Sequence, residues 1–452
     1  MNKVIQMPQK VKYIIETLQQ AGFEAYAVGG CVRDSLLDRK PSDWDITTSA
    51  RPIDVKDLFK RTVDTGILHG TVTIMLEKEG FEVTTYRIDG EYEDSRHPKE
   101  VIFTANLIED LKRRDFTINA MAYNDKEGLV DAFQGIEDLE KKLIRCVGDP
   151  KERFNEDALR IMRAIRFSAQ LGYEIEQETR NAIEELVPTL KNISAERIQV
   201  ELLKTVISPN PYLFKLYYET GITKVIMPEF DLAMETSQNN PHHSYTVGEH
   251  ILKSMEQVPG DKLLRLAMLF HDLGKPQTQS TDEKGISHFD GHAFVGEKIA
   301  ANTLRNLKFD NDTISKVTRM VRFHDAYIEA DEKAVRRSIT RFGEDIFPLI
   351  LQVKKADISA QSTYRQQEKL DHLSQVKKIY EEIIARKDCV SLKNLALSGK
   401  DLIELGMKPG REIGIVLDSL LDVVLDFPEY NTKEYLLEYY QTKFKELPGN
   451  EV

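Results

Sequence analysis

The hydrophobic periodicity of the chain changes near residue 150, and this change constrains the fold more than any other feature of the sequence. Before it, the short runs AYAVGG, GTVTIML and FEVTTYR are rich in Val, Thr, Tyr and Ile, which favours strands. From Glu152 onward, apolar residues recur every three or four positions in EDALRIMRAIRFSAQLGY, ETRNAIEELVPTLK and SAERIQVELLKTVI, which predicts consecutive amphipathic helices. We therefore expect an α/β amino-terminal module followed by a long helical region.

The composition excludes several classes of protein. Of the 452 residues, 41% are hydrophobic and 30% are charged, and no apolar run approaches the roughly 20 residues that a membrane span needs. The start, MNKVIQMPQK, resembles no export signal, and the three cysteines, Cys31, Cys146 and Cys389, are too widely spaced to suggest a disulfide framework. We therefore expect a cytoplasmic protein without membrane contact. The net charge of −12 restricts any nucleic-acid surface to a local patch, because backbone binding relies on Lys and Arg.

The segment AVGGCVRD, residues 27–34, runs from a predicted strand into a glycine pair and a helix start. Gly29 and Gly30 would let backbone amides approach an anion, the helix amino terminus adds favourable partial charge, and Arg33 adds a cation. The alternative is a purely structural glycine turn. On its residues alone, the segment is a candidate phosphate cradle.

Two carboxylates follow in the segment PSDWDITTSA. Asp43 and Asp45 stand two positions apart, so on a strand both would project from one face and repel each other unless a cation lay between them. Mg²⁺ takes a few carboxylates, keeps waters and uses substrate phosphates as its remaining ligands, which fits a pair of ions here. Glu82, at the start of EVTTYR, is a candidate third carboxylate. The alternative is a solvated acidic turn.

Together, GG-x-x-R-D and the D-x-D that follows it resemble the class II tRNA nucleotidyltransferases. These are the CCA-adding enzymes and their bacterial poly(A) polymerase relatives, within the polymerase-beta-like superfamily. The resemblance implies that Gly29, Gly30 and Arg33 steady a nucleoside triphosphate. It also implies that Asp43 and Asp45 are the catalytic residues and hold Mg²⁺.

RRDFTINAMAY, residues 113–123, resembles the family's ribose-recognition segment. The resemblance implies that Arg114, Asp115 and Asn119 contact the sugar and the incoming nucleotide. Without it, RRD would be interpreted as a solvated charge cluster that enters a helix. The place of the segment in the order of motifs supports the functional interpretation.

The segment EDALRIMRAIRF places Asp157 and Arg160 three positions apart on a predicted helix, and hence on one face. A carboxylate accepts from an exocyclic amino group while a guanidinium donates to a ring nitrogen. Cytosine and adenine both present that pattern, whereas uracil and guanine present the reverse. The pair is therefore a candidate selector of C and A without a nucleic-acid template, and an ordinary ion pair is the alternative. The family resemblance implies that Glu156 and Arg163 orient the pair.

Two further segments match the family's order of motifs. RIDGEYEDSRHP, residues 87–98, is polar and rich in charge, which fits a flexible loop. It is similar to the family's loop that couples to the switch from C to A addition and is missing in relatives that add only CC. ISAERIQVE, residues 193–201, resembles the closing helical motif of the family. The presence of the loop implies a full CCA-adding enzyme or an A-adding one.

A second set of candidate ligands occurs on the later helices, namely His250, His271, Asp272, His292, His324 and Asp357. Their recurrence on successive helices predicts a metal cage, although a lone histidine is usually a core residue. The pattern resembles the HD phosphohydrolases. That resemblance implies a divalent ion held by His250, His271, Asp272 and Asp357, with Lys275 and His292 facing a phosphate. Such mixed ligands favour Ni, Mn, Co or Zn over Mg. Two alternatives stay open: the site hydrolyses phosphoesters, or the helical domain has only a structural role.

The carboxy-terminal segment SLKNLALSGKDLIELGMKPGREIGIVLDSLLDVVL carries the turn PGRE before an apolar helix. Its Lys residues and helix-start amides would suit RNA phosphates. The family resemblance implies contact with the tRNA elbow, and a plain helical hairpin is the alternative.

These observations predict an α+β fold, with a polymerase-beta-like nucleotidyltransferase head of small mixed sheet and helices, then an all-helical neck, an HD-type body and a tail. The expected domains are the catalytic head (1–148), the neck with the base-selecting helix (149–210), the HD-type metal-binding domain (211–385) and the tRNA-contacting tail (386–452). The expected function is template-independent addition of CCA to tRNA from CTP and ATP, with release of pyrophosphate. An A-adding enzyme, a poly(A) polymerase and an HD-type hydrolase stay open as alternatives, as does the oligomeric state.

Overall fold

The computed structural model describes residues 4–67, 70–89 and 101–444, and the chain divides into two compact units, Met1–Asp231 and Leu232–Val452. The first unit combines a mixed sheet with helices, and the second is mainly helical. This architecture confirms the predicted fold class, whereas the finer division into four domains stays a prediction. Within the described ranges, every helix is too short or too polar to cross a bilayer.

The strands described in the first unit are β1 Ala25–Val28, β2 Ile46–Thr48, β3 Thr62–Gly66, β4 Thr71–Leu76, β5 Glu79–Thr85, β6 Arg87–Asp89, β7 Val101–Phe103, β8 Met121–Asn124, β9 Gly128–Asp131, β10 Leu143–Ile144 and β11 Glu174–Ile175. Seven of them form one sheet in the order β3-β4-β5-β2-β1-β8-β9. Strands β2 and β5 run parallel, and the other neighbours in this sheet are antiparallel. The three β-rich runs of the sequence thus contribute β1, β4 and β5.

The centre of this sheet positions the candidate carboxylates. Ile46 opens β2 and pairs with Val83 of β5. Asp45 continues the ladder toward β1, because its carbonyl oxygen accepts from the Val28 amide at 3.0 Å. The expectation that Asp43 and Asp45 lie within a strand is nevertheless wrong, since β2 begins one residue after Asp45. The two carboxylates lie on the extended segment that leads into the strand.

The α-helices described in the first unit are α1 Gln9–Gln20, α2 Gly30–Leu36, α3 Pro52–Leu58, α4 Leu107–Lys112, α5 Gly135–Lys141, α6 Pro150–Glu156, α7 Leu159–Leu171, α8 Gln177–Leu186, α9 Ala195–Val206, α10 Lys215–Glu219, α11 Thr223–Ile226 and α12 Pro228–Glu235, whose last four residues belong to the second unit. Helix α1 packs on β1 and buries Val11, Ile14, Ile15 and Leu18. This spacing of three and four residues is the apolar stripe of an amphipathic helix.

The run EDALRIMRAIRF does not form one helix. Helix α6 ends at Glu156, Asp157 has an extended backbone (φ −143°, ψ 102°), and α7 begins at Leu159. The Asp157 carboxylate accepts from the Leu159 amide at 3.1 Å, because a short acidic side chain satisfies a free amide at a helix start. The prediction that Asp157 and Arg160 share one helical face is therefore wrong.

The segment 87–98, which we expected to be a flexible loop, begins as a strand. Ile88 of β6 pairs with Ile102 of β7 in a short antiparallel ladder. The expectation is therefore wrong for Arg87–Asp89, while residues 90–98 lie outside the described residues.

The helices described in the second unit are α13 Val247–Glu256, α14 Lys262–Phe270, α15 Lys275–Thr278, α16 His292–Asn306, α17 Asn311–Phe323, α18 Glu332–Phe342, α19 Phe347–Ala360, α20 Gln366–Arg386, α21 Gly399–Glu404, α22 Arg411–Asp426 and α23 Lys433–Phe444. A small hairpin of β12 Ser280–Thr281 and β13 Ser287–His288 interrupts them, which the sequence did not predict. The turn PGRE leads directly into α22, as predicted, and α22 buries Val416, Leu420 and Val424 in an apolar core shared with α21 and α23.

Candidate active site and metal cluster

A glycine turn joins β1 to α2. Gly29 has φ +82°, in the left-handed region, and a Cβ at this position would lie 3.2 Å from Arg114 Nη1. The Gly29 amide donates to the Met121 carbonyl at 3.2 Å. The amides available to an anion are therefore those of Gly30 and the following first-turn residues, and Gly29 shapes the predicted phosphate cradle without donating to it.

A chain of hydrogen bonds links four predicted nucleotide-binding residues. Arg33 Nη1 donates to Asn119 Oδ1 at 2.6 Å, and Asn119 Nδ2 donates to Asp115 Oδ1 at 3.1 Å. Arg163 Nε donates to Asp115 Oδ2 at 2.7 Å. Burial alone would raise the pKa of Asp115, but Arg163 and the Asn119 amide outweigh burial and hold that pKa well below its usual range. The four side chains therefore form one charged network of fixed geometry.

An aromatic ring, which the sequence did not indicate, packs against this network. The guanidinium groups of Arg33, Arg163 and Arg166 lie 5.0, 5.5 and 4.0 Å from the centroid of the Phe167 ring. Arg166 also pairs with buried Glu201 at 3.2 Å. Three cations close to one ring gain cation–π attraction but repel one another, so their carboxylate partners are needed to hold them together.

Arg114 depends on a buried carboxylate that sequence reasoning also missed. Asp110 is fully buried and accepts from Arg114 Nη2 at 3.2 Å, from Arg113 Nη2 at 2.7 Å and from Thr47 Oγ1 at 3.1 Å. Because Thr47 belongs to β2, Asp110 ties Arg114 to the strand that follows Asp45. The spacing in LIEDLKRR, with an acid three and four residues before two arginines, is the signal that points to this pairing.

Three carboxylates approach one another at the start of β2. The parallel register of β2 and β5 places Asp45 beside Glu82. The pKa of Asp45 is raised, first because surrounding protein atoms displace water from the carboxylate and then because Asp43 and Glu82 repel its charge, while Arg114 acts in the opposite direction. A divalent cation relieves such repulsion. The donor set therefore fits Mg²⁺ and supports Glu82 as the third carboxylate.

Asp157 and Arg160 are neighbours, but each is held by a different partner. Arg197 donates to both oxygens of Asp157, at 3.2 and 2.7 Å. Arg160 pairs with Glu156 at 2.5 Å, as the resemblance implied. Arg163 instead engages the carboxylate of the ribose segment and does not orient this pair. The orienting residue for Asp157 is Arg197, from the segment predicted as the closing motif.

In the second unit, the six candidate metal ligands form one cluster. His250 lies in α13, His271 and Asp272 follow α14, His292 begins α16, His324 follows α17, and Asp357 lies in α19. The side chains of His271 and Asp272 are almost completely buried. Five segments that are distant in sequence thus converge on one point.

The four predicted ligands of a single ion lie close to one another. His250 Nε2 lies 2.9 Å from Asp357 Oδ1, 3.3 Å from His271 Nε2 and 3.6 Å from Asp272 Oδ2. Burial alone would raise the pKa of Asp357, but the hydrogen bond from His250 holds that pKa well below its usual range. Lys275 Nζ forms an ion pair with Asp272 Oδ2 at 2.7 Å. Buried Asp272, half-buried Asp357 and two imidazoles are a donor set that suits a transition-metal ion.

Three family profiles match the chain. The Poly A polymerase head domain matches residues 25–145, the probable RNA and SrmB-binding site of polymerase A matches residues 172–234, and a putative tRNA nucleotidyltransferase domain 2 matches residues 278–440. The CCA-adding enzyme of Lactobacillus helveticus is 35% identical to this chain, over 98% of this chain and 99% of its own length. That of Enterococcus faecalis is 35% identical, over 94% of each chain.

A solved structure shares the architecture. The crystal structure of the Bacillus stearothermophilus CCA-adding enzyme in complex with CTP matches with a TM-score of 0.70 and 28% sequence identity. The match covers 97% of this chain and 100% of that one. The likeness therefore extends over both units of the chain.

Proposed function

This chain belongs to the family of CCA-adding enzymes, and from that premise we infer how its first unit performs the reaction. The reaction is the addition of C, C and A to the 3′ end of tRNA, from CTP and ATP, without a nucleic-acid template and with release of pyrophosphate. The observation that carries the assignment of the site is the meeting of the Gly29 turn, the Arg114 guanidinium and the Asp45 carboxylate where β1 and β2 adjoin.

Enzymes of this family use a divalent metal, generally Mg²⁺. Asp43 and Asp45 would hold it, with Glu82 as a further carboxylate. When bound, Mg²⁺ reduces the negative charge at the α-phosphate and favours ionisation of the attacking 3′-hydroxyl. The protein itself fixes these carboxylates in place through the register of β1, β2 and β5. Little reorganisation is therefore needed during the reaction.

The incoming nucleotide lies between the glycine turn and the ribose segment. The first-turn amides of α2, from Gly30 onward, donate to the triphosphate, and Arg33 contributes charge. Arg114, Asp115 and Asn119 contact the ribose. The hydrogen bonds among Arg33, Asn119 and Asp115 support this assignment, because they hold the contacting groups in place before the nucleotide arrives.

Asp157 and Arg160 select the base. The Asp157 carboxylate accepts from the exocyclic amino group of C or A, and the Arg160 guanidinium donates to the ring nitrogen. Arg197 and Glu156 hold the two groups in orientation. One fixed pair can therefore serve both CTP and ATP, since both bases present the same pattern at these positions.

The variant Asp43→Ala in the full-length chain tests the catalytic assignment. Incorporation of labelled CTP and ATP into tRNA that lacks CCA should fall by about 10³-fold or more, because the loss of a metal ligand removes several kcal/mol of transition-state stabilisation. Asp64→Ala is the matched control, since Asp64 is an exposed residue of β3 that forms an ion pair with Lys56. Full incorporation by the Asp43 variant would refute the assignment.

A second proposal concerns the second unit, whose cluster we propose to bind a divalent transition-metal ion through His250, His271, Asp272 and Asp357. The burial and the donor chemistry of the cluster support this site. Elemental analysis of Asp272→Ala should show the ion lost while incorporation of CTP persists. Comparing phosphoester hydrolysis by the unchanged chain and by Asp272→Ala tests the HD-type activity.

Contact of the tail with tRNA is also a proposal. Lys393, Lys400, Lys408 and Arg411 are exposed there, which supports binding to phosphates. We propose that the reaction takes place in the cytoplasm, as the sequence predicted.

A further inference from the structure

We propose that Phe167 is a positioning residue for nucleotide addition. Its ring holds the guanidinium groups of Arg33 and Arg163, and through Arg33 it fixes the Asn119 amide against the incoming sugar. The inference rests on the proposed function of the first unit, in which the ribose segment, residues 113–123, contacts the nucleotide. It gives an apolar ring a part in the selection of ribonucleotides over deoxyribonucleotides.

Phe167 lies on the same face of α7 as the arginine that we propose to contact the base. Arg160, Arg163 and Phe167 stand at positions i, i+3 and i+7 of this helix. Phe167 is 6% exposed, so protein atoms rather than water surround its ring. The contacts of the ring therefore link the helix that carries Arg160 to whatever packs against it.

Two guanidinium groups of the charged network lie within cation–π distance of this ring. The Cζ atoms of Arg33 and Arg163 are 5.0 and 5.5 Å from the ring centroid, inside the usual limit of about 6 Å. The attraction is electrostatic, because an aromatic ring carries negative partial charge on its faces, and it is stronger where water is excluded. Arg33 is 8% exposed, so its contact with the ring is largely desolvated.

Arg33 in turn orients the Asn119 amide. Arg33 Nη1 donates to Asn119 Oδ1 at 2.6 Å, while Arg33 Nε donates to Asp34 Oδ1 at 2.9 Å. A guanidinium only donates, so the amide oxygen of Asn119 must face Arg33 and its nitrogen must face Asp115. Asp34 and the Phe167 ring thus hold the guanidinium, and the guanidinium holds the amide.

The Asn119 side chain retains the groups that a sugar hydroxyl needs. Among the described residues, its contacts with Arg33 and Asp115 use one of its two amide N–H groups and one of its two oxygen lone pairs. A ribose hydroxyl both donates and accepts, so it fits the second N–H and the second lone pair. A deoxyribose has one hydroxyl fewer. A displaced amide should therefore reduce the preference for ribonucleotides.

The Phe167 ring also contacts the ribose segment directly. Phe116, which follows Asp115, packs edge-to-face on Phe167, with ring centroids 5.7 Å apart and ring planes at 79°. The Phe116 amide donates to Asp115 Oδ1 at 2.8 Å, and Arg163 Nε donates to Asp115 Oδ2 at 2.7 Å. Loss of the ring would thus loosen both the guanidinium groups and the backbone of the segment.

Fluorination of the ring separates electrostatic positioning from packing. Trifluorophenylalanine at position 167 of the full-length chain preserves an apolar ring of similar shape, but the fluorine atoms withdraw the negative charge that attracts the guanidinium groups. On tRNA that lacks CCA, kcat/KM should fall by about 5-fold or more for CTP and by about 2-fold or less for dCTP. Phe167→Leu, which removes the ring, should reduce the preference for CTP over dCTP further. The fluorinated chain keeps the test valid where Phe167→Leu does not fold.

Trifluorophenylalanine at Phe214 is the matched control, because this buried ring of the first unit packs on the rings of Tyr217 and Phe230. Its kinetics with CTP and dCTP should match those of the unchanged chain. Unchanged kinetics after fluorination of Phe167 would overturn the proposal and leave Phe167 as a packing residue. An equal fall for CTP and dCTP would also overturn it, since general loosening affects both nucleotides alike.

Failure of the proposed function would have a different signature. If the unchanged chain used CTP and dCTP equally well, the ribose contacts assigned to the segment would be refuted, and this proposal with them. If the unchanged chain extended no tRNA, the assigned reaction itself would be refuted. A loss of ribose preference confined to the Phe167 variants is the result that the proposal predicts.

Discussion

Arg197 donates from both terminal nitrogens to the Asp157 carboxylate, at 3.2 and 2.7 Å, and so joins helix α9 to the break between α6 and α7. A guanidinium that engages both carboxylate oxygens fixes orientation as well as adding attraction. The carboxylate that we propose to select the base is therefore held by a residue 40 positions away in the sequence.

Replacing Arg197 should impair both addition and selection. In Arg197→Met, kcat/KM for CTP and for ATP should fall by about 10- to 100-fold, since a hydrogen bond to a charged group contributes about 1.5 to 3 kcal/mol. Rejection of UTP should weaken as well, because Asp157 loses its fixed orientation. Single-turnover rates with each nucleotide measure both effects. Arg180→Met, at an exposed ion pair on α8, is the control, and an unchanged preference for CTP over UTP would contradict the assigned role.

Gly29→Ala should destabilise the first unit. Its φ of +82° is strained for a residue with a Cβ, and that Cβ would press on Arg114 Nη1 at 3.2 Å, so we expect a loss of about 1 to 3 kcal/mol in the free energy of unfolding. Gly22→Ala is the matched control, because Gly22 has φ +90° with open space around a Cβ. Urea unfolding followed by the fluorescence of Trp44, the single tryptophan, measures both variants. Equal losses would show that contact with Arg114 is unimportant.

Glu82→Gln should raise the Mg²⁺ requirement of the reaction. Removing one of three neighbouring carboxylates should increase the Mg²⁺ concentration for half-maximal incorporation by about 10-fold, the effect typical of a weakened metal site. Titration of initial rates with Mg²⁺ measures the shift. Glu79→Gln changes an acid on the same strand that pairs with Lys10. Its Mg²⁺ curve should match that of the unchanged protein, and an identical curve for the Glu82 variant would remove Glu82 from the metal site.

The pairing of Asp115 should make the stability of the first unit depend on pH. The pKa of Asp115 is lower in the folded protein than in the unfolded chain, so the folded state binds fewer protons. Its stabilising contribution is therefore complete above the unfolded pKa of about 3.9 and declines as the pH falls below that value.

The variant Asp115→Asn isolates this contribution. It leaves Arg163 without its carboxylate, so the free energy of unfolding should fall by about 3 to 5 kcal/mol at neutral pH. The difference from the unchanged protein should shrink as the pH falls below about 4. Trp44 fluorescence in urea at several pH values provides the measurement. A difference that stayed constant down to about pH 3 would show that the carboxylate charge is not the cause.

Those parts of the site that consist of neighbours in sequence could be predicted. The glycine turn with Arg33, the pair Asp43 and Asp45, and the His271-Asp272 pair all bring the necessary groups together over a few residues. Their residue types alone indicate which chemistry they suit. The β-rich runs and helical periodicity likewise predicted the α+β fold, because burial of one face imposes those periods on the sequence.

The remaining relationships depend on tertiary contacts that local patterns do not encode. Arg197 and Phe167 each meet distant partners only once the helices have packed. The helix break at Asp157 is a local effect that periodicity conceals, since the apolar spacing continues through it while the carboxylate caps the next helix. The clustering of the six His and Asp side chains of the second unit likewise depends on how the helices pack, because five segments contribute to it.

CCA addition is tested most directly by incorporation of labelled CTP and ATP, singly and together, on three tRNA transcripts that end at the discriminator base, at C and at CC. A CCA-adding enzyme should extend all three to CCA and reject UTP and GTP. Addition of a single A to the transcript ending in CC, with the other two unextended, would contradict full CCA addition. Failure to extend any transcript would show that the chain does not transfer nucleotides to tRNA.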